Sequence, residues 1–176
     1  MYGGEIVVKR EKPSPSQVAQ TKAKELLIEC LECVRWSYYE NGTLKVTDSK
    51  GRSHKVTEDY IETTYKKSNW ASMYTSDYTM ELGMQTEWWY NHSREERFVV
   101  IVHELTHIKH PHHKPEFWDS MIDNLRDIAE SDKFRELDWE KVTDMAIRDP
   151  NSACVDRRSE SVEERKEKME VVGKFR

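Results

Sequence analysis

Five of the seven histidines in this chain fall within the eleven positions from His103 to His113, in the run HELTHIKHPHHKPEFW. Two of them, His103 and His107, are four residues apart. On a helix, residues at that spacing point the same way, about 6 Å apart along the axis. Their imidazoles can therefore close on one zinc ion with bonds of about 2.0–2.1 Å. Glu104 is one step round the same helix, where its carboxylate can accept a proton from a water that the metal activates. Zinc brings the pKa of such a water to about 7, so a nucleophile exists at neutral pH. His-Glu-x-x-His is by itself a modest signal. An apolar helix before it, a capping box and further histidines behind it strengthen it here.

A catalytic zinc takes three protein ligands and keeps one position open. His110 lies seven residues from His103, hence about 10 Å along a straight helix, too far to share one ion with both His103 and His107. Pro111 should break the helix, because it lacks a donor and crowds the preceding turn. A bend there can return His113 to the metal. His112 is the other candidate, and spacing does not decide which way a side chain points after a proline.

The run VHELTHIKHPHHKPEFW resembles the signature of the YgjP-like metallopeptidases, a family related to the SprT-like proteases. In that signature H-E-x-x-H is followed by a third histidine six residues on and then by x-x-x-F-W. His103, Glu104, His107, His113, Phe117 and Trp118 occupy its positions. The resemblance implies one zinc per chain held by His103, His107 and His113, with Glu104 as the catalytic base. Upstream, WASMYTSDYTMEL is similar to the family's Trp-Gly-Ser-Cys segment and the strand after it. Trp70 and Ser72 match, whereas Ala71 and Met73 stand where Gly and Cys are usual. The resemblance runs from about Glu58 to Leu125 and is strongest from Phe98 to Trp118.

The elements that must position these groups can be read outward from the motif. Ser93 with Glu96 three residues on makes a capping box that opens the central helix. Phe98, Ile101, Val102, Leu105 and Ile108 share one side of it, opposite His103 and His107. The apolar flank should meet the core and the histidine flank a cleft. Pro115 suits the first turn of a following helix, with Trp118, Met121, Ile122, Leu125 and Ile128 on its core face. Another helix is expected from about Ser131 to Ile147, ended by Asp149-Pro150. Before the motif, periodicity predicts a helix from about Ser16 to Tyr39, closed by Glu40-Asn41-Gly42. TLKVT and RSHKV read as a hairpin across DSKG, and YIETTYKK, WASMY and YTMEL as further strands.

The expected fold is therefore α+β: a small twisted, mostly antiparallel sheet packed on the central active-site helix, with additional helices, zincin-like. Residues 1–15 are expected to form an arm with the Pro/Ser linker KPSPSQ, 16–150 one metallopeptidase domain, and 151–176 a charged tail. Phe117 and Trp118 are read as braces for the third ligand. His54 is expected to be exposed. Trp88, Trp89 and Tyr90 are expected to pack under a loop, with a wall of the cleft as the second option. Tyr78, Tyr90 and His92 are unranked candidates to stabilise a transition state. Glu116, Asp119 and Asp123 are near enough in sequence to orient the imidazoles.

Composition narrows the function. A length of 176 residues, 36% hydrophobic and 35% charged, fits one globular domain with charged tails. The net charge of −5 argues against a dedicated nucleic-acid binder. No apolar run approaches the roughly 20 residues of a membrane span, and the opening residues reverse the order of a secretory signal. Three cysteines give no disulfide framework, and Cys30-x-x-Cys33 reads as small core residues on a helix. A cytoplasmic location is expected.

The leading expectation is a zinc metallopeptidase acting on a protein or peptide laid along the strand around Tyr78 to Leu82 by strand addition. A second reading is a non-catalytic binding or assembly protein that keeps the zinc domain as a scaffold and docks through arm and tail. Intact Glu104 speaks against it, since a structural site needs no general base. A third, by analogy with SprT-like proteases, is proteolysis on DNA, which the acidic body disfavours.

Overall fold

Ser14 starts the first helix by accepting the backbone N–H of Gln17, whose side chain returns a bond to the Ser14 N–H. Pro15 fits the first helical position, where a missing N–H costs nothing. This helix, α1 (Pro15–Leu31), buries Ala19, Ala23, Leu27, Cys30 and Leu31 as one stripe. The computed structural model describes residues 12–148. Most of the expected arm, Asp149-Pro150, Cys154 and the tail from 151 lie outside the described residues.

α1 is shorter than its periodicity predicts. Ser37–Glu40 form a strand, β1, and Asn41-Gly42 link it to β2 (Thr43–Thr47) in a hairpin. Both link residues have positive φ, 51° and 79°, which is what a two-residue hairpin turn requires. Asn-Gly was thus a strand connector, and the aromatic run before it prefers extended backbone. β3 (Ser53–Lys55) pairs antiparallel with β2, as the expected hairpin has it, completing a sheet of order β1-β2-β3.

A second three-stranded sheet holds β4 (Ile61–Tyr65), β5 (Ala71–Thr75) and β6 (Met80–Met84) in the order β4-β6-β5. β6 runs parallel to β4 and antiparallel to β5. Its burial fits that central place: Met80, Leu82, Gly83 and Met84 are all buried. Gly83 lies opposite Ser72, and a Cβ there would run into Ser72 Oγ and the Lys66 side chain. The expectation that the segment around Tyr78 to Leu82 is an open edge is therefore corrected. β6 is bonded on both sides, and the edges are β4 and β5.

After the short α2 (Thr86–Tyr90), α3 (Arg94–Thr106) carries the histidine motif. Its capping box is the expected one, with Ser93 Oγ accepting the Glu96 N–H and Glu96 Oε1 accepting from Ser93. Ten of its thirteen residues are buried, because α1, α4 (Pro115–Glu130), α5 (Trp139–Arg148) and β5 all lie against it. A helix apolar nearly all round is one enclosed between layers. Across the described residues the architecture is α+β, with small, mostly antiparallel sheets and five α-helices. None of those helices is long and apolar enough to cross a membrane.

Candidate metal centre

α3 ends where the motif needs it to. His107 is its C-cap, so the chain leaves the helix axis directly after the second motif histidine. The following residues return His113 to the first two. The ligand atoms of His103, His107 and His113 all lie within 4.8 Å of one another. His103 Nε2 is 3.2 Å from His107 Nε2 and 2.9 Å from His113 Nε2. Three nitrogens bonded tetrahedrally to one zinc would stand about 3.3 Å apart, so the separations fit that ion. His112 is exposed and is not one of the clustered residues, and His110 contributes its backbone.

The electrostatics suit cation binding. His107 Nδ1 donates to the His110 carbonyl at 3.0 Å, which fixes the tautomer that leaves Nε2 with a free lone pair. A backbone carbonyl thus does for His107 what a nearby carboxylate was expected to do. Burial, then repulsion from His107 and His113, holds His103 well below the ordinary imidazole range. His103 is accordingly a neutral donor, and its buried Nδ1 has no hydrogen-bond partner among the described residues. Phe117 is fully buried, and its ring stands 4.7–4.9 Å from each of the three imidazoles. Trp118 flanks His103 and His113 at about 6 Å. Together they supply the dry wall that keeps the rings in place.

α4 is tied to α3 through side chains that spacing gave no reason to select. Asn124 Nδ2 donates to Thr106 Oγ1 at 3.1 Å, Thr106 donates to the Val102 carbonyl at 2.7 Å, and Trp36 Nε1 donates to Asn124 Oδ1 at 2.8 Å. All of these bonds cluster beside the motif turn. A buried asparagine on an apolar helix face was the one signal available for them.

Glu104 is only 2% exposed, yet it reaches a cleft that it lines together with His107 and His113. Burial pushes its carboxyl up to about 8, and the Lys66 ammonium works against that rise. The facing wall is β5, with Ala71, Ser72, Met73, Tyr74 and Thr75 on the lining. Ser49, Lys50 and Arg52 close one end. Tyr78, Tyr90 and His92 do not line this cleft. Tyr90 donates to the Pro15 carbonyl, and His92 stacks on Trp88 at 4.3 Å while donating through Nδ1 to the Trp88 carbonyl. Trp88 and Trp89 are buried, consistent with packing.

His54, expected at the surface, is instead 1% exposed. Its Nε2 meets Asp48 Oδ2 at 2.7 Å and its Nδ1 meets the Tyr60 hydroxyl at 2.8 Å. Asp48 also accepts the backbone N–H of Lys50 and of Arg52 and the Arg52 Nε. Burial works to raise the Asp48 carboxyl, but the bonds from His54, Arg52 and Lys50 outweigh it and hold the group well below the usual carboxylate range. A carboxylate with a lowered folded-state pKa adds stability above its unfolded value of about 3.9 and loses it as the pH falls below that. Asp48→Asn is expected to cost roughly 3 kcal/mol at neutral pH, the low end for removing one partner of a buried pair. Urea unfolding of both chains between about pH 7 and about pH 3 should show the difference narrowing in the acid range. A difference independent of pH would remove the ionised carboxylate from the account.

Three imidazoles converge beside a buried carboxyl in an open cleft, a group that could hold a metal ion next to a titratable side chain. The family model described as YgjP-like, metallopeptidase domain matches residues 7–133. The chain belongs to the YgjP-like metallopeptidase family. Searches of curated proteins and of solved structures give no match. Family membership implies a metal, protein or peptide substrates and hydrolysis at a coarse level, and His103, His107 and His113 are able to hold such an ion.

Proposed function

We propose that this protein is a zinc-dependent metallopeptidase in which His103, His107 and His113 hold one zinc ion and Glu104 is the general base. The observation that carries this reading is the convergence of three Nε2 donors at the end of α3, with the Glu104 carboxyl sharing their cleft. It is the arrangement a zincin-like domain would have, with the motif helix between the helical layer and the edge of a sheet.

When bound, zinc would supply Lewis acidity, making water a nucleophile near neutral pH and polarising the carbonyl under attack. The chain's own groups do the rest. Among the described residues β5 is an edge strand of its sheet, and an extended peptide can add to it as a further strand. That places the peptide across the cleft between β5 and the motif helix. Glu104 accepts the proton from the attacking water and delivers it to the leaving amine. Phe117 and Trp118 keep bulk water from the rear of the histidines.

Chelation provides the test. Stripping the metal from the full chain is expected to abolish cleavage of an unfolded protein substrate, and stoichiometric zinc to restore it. Cleavage that persists through exhaustive chelation would refute the reading. The scaffold alternative requires no turnover at any zinc occupancy, and the carboxyl placed at the cleft floor weighs against it.

A further inference from the structure

The end wall of the cleft is built more rigidly than a surface turn needs to be. Asp48 Oδ1 accepts the N–H groups of Lys50 at 2.9 Å and Arg52 at 3.0 Å, and the Asp48 carbonyl accepts Gly51 N–H at 3.0 Å. Gly51 has φ 80°, a conformation that favours glycine. The turn is also pinned from outside at two points. Ser49 N–H donates to the Ile108 carbonyl at 2.9 Å, one residue past the second motif histidine. Arg52 Nη2 donates to the Thr75 carbonyl at 3.3 Å, at the end of β5. The turn thus bridges the two walls of the cleft, the segment just past the motif helix and the end of the edge strand.

Of its two cations, only one is committed. The Arg52 guanidinium is bound by Asp48 at 2.7 Å and by Asp77 at 2.9 Å. Lys50 is exposed, lines the cleft, and forms no ion pair among the described residues. Among the described residues that line the cleft, Glu104 is the only carboxylate. With Arg52 offset by Asp48 and Asp77, Lys50 is the uncommitted cation at this end of the cleft, and a cation held by the three histidines would add to it. An uncommitted ammonium at the end of a binding cleft selects partners by charge.

We infer that Lys50 is a specificity-determining residue, and that the cleft takes extended peptide with an acidic side chain at the position passing the Asp48–Arg52 turn. This rests on the reading of the cleft as a peptide site. A peptide paired along β5 presents every second side chain to the same face, so a single position along it meets the turn. Because the turn is fixed to both walls, the ammonium is carried on a backbone that does not have to be ordered when substrate arrives.

The test uses the full, zinc-loaded chain carrying Glu104→Gln, so that binding is read without turnover. Unstructured peptides identical except for Glu, Gln or Lys at one scanned position are titrated by fluorescence anisotropy. At one position the Glu peptide should bind about fivefold more tightly than the Gln peptide, the scale of one partly exposed ion pair. Adding Lys50→Gln should erase that preference, Lys50→Glu should reverse it in favour of the Lys peptide, and salt should weaken it. Equal binding of the Glu and Gln peptides at all positions would overturn the inference. So would a Glu preference that survives Lys50→Glu, or no peptide binding at all. Turnover of the Gln peptides by the unsubstituted chain separates this from the peptidase reading. Selective binding without turnover would sink only the peptidase, whereas turnover without selectivity would sink only the role of Lys50.

Discussion

A chain carrying Glu104→Gln is expected to take up zinc as the native chain does and to lose turnover by about a thousandfold, within the range of a general base. The two side chains have nearly the same shape, and the converging donors are all imidazole nitrogens, so metal content should not change. What the amide lacks is the ability to accept and return a proton. The folding consequence runs the other way. Glu104 is buried to 2% exposure and burial disfavours its charged form, so a neutral isostere should leave the melting temperature of the metal-free chain unchanged or raised. Metal analysis, a melting curve and a steady-state rate on one preparation are enough. Retained turnover would exclude Glu104 as the base; loss of zinc along with turnover would make it a structural partner of the site.

His113→Ala should have the largest effect on metal. Two imidazoles on one helix face make a weak chelate, and the third closes the site from outside the helix, 2.9 Å from His103 Nε2. Zinc affinity is expected to fall by more than about a hundredfold, beyond what losing an outer hydrogen-bond partner costs. His112→Ala is the matched control, because His112 is exposed and stands outside the cluster. Competition against a coloured chelator measures both. Equal losses in the two variants, or none in His113→Ala, would move the third donor elsewhere.

Which parts of this were legible in the sequence follows from how far apart the interacting residues are. The capping box and the motif face are short-range, and helical geometry constrains them strongly, whereas the helix ends at His107, before the break expected at Pro111. Whether His112 or His113 closes the cluster was not readable from spacing. The structure brings in the residue that the family signature pointed to. Strand order was not readable either. The segment before α2 looks like an edge because it comes last, yet β6 inserts between β4 and β5, and nothing local encodes partner choice. His54 misled for a related reason. Its strand neighbours Ser53 and Lys55 are exposed, while the ring turns in to Asp48 and Tyr60. Asn41-Gly42 carried a hairpin signal that was outweighed by the periodicity before it.

All three proposed donors come from eleven consecutive residues, while the braces around them come from Ser49, β5 and Asn124. The unfolded chain therefore already possesses a complete, if floppy, chelating peptide. A ligand that binds both states stabilises the folded one only by the difference between its two affinities. Zinc should accordingly raise the melting temperature by less than its affinity for the folded protein suggests. Metal capture can also precede folding, so a chain refolded with the wrong divalent ion could close its braces around that ion and keep it.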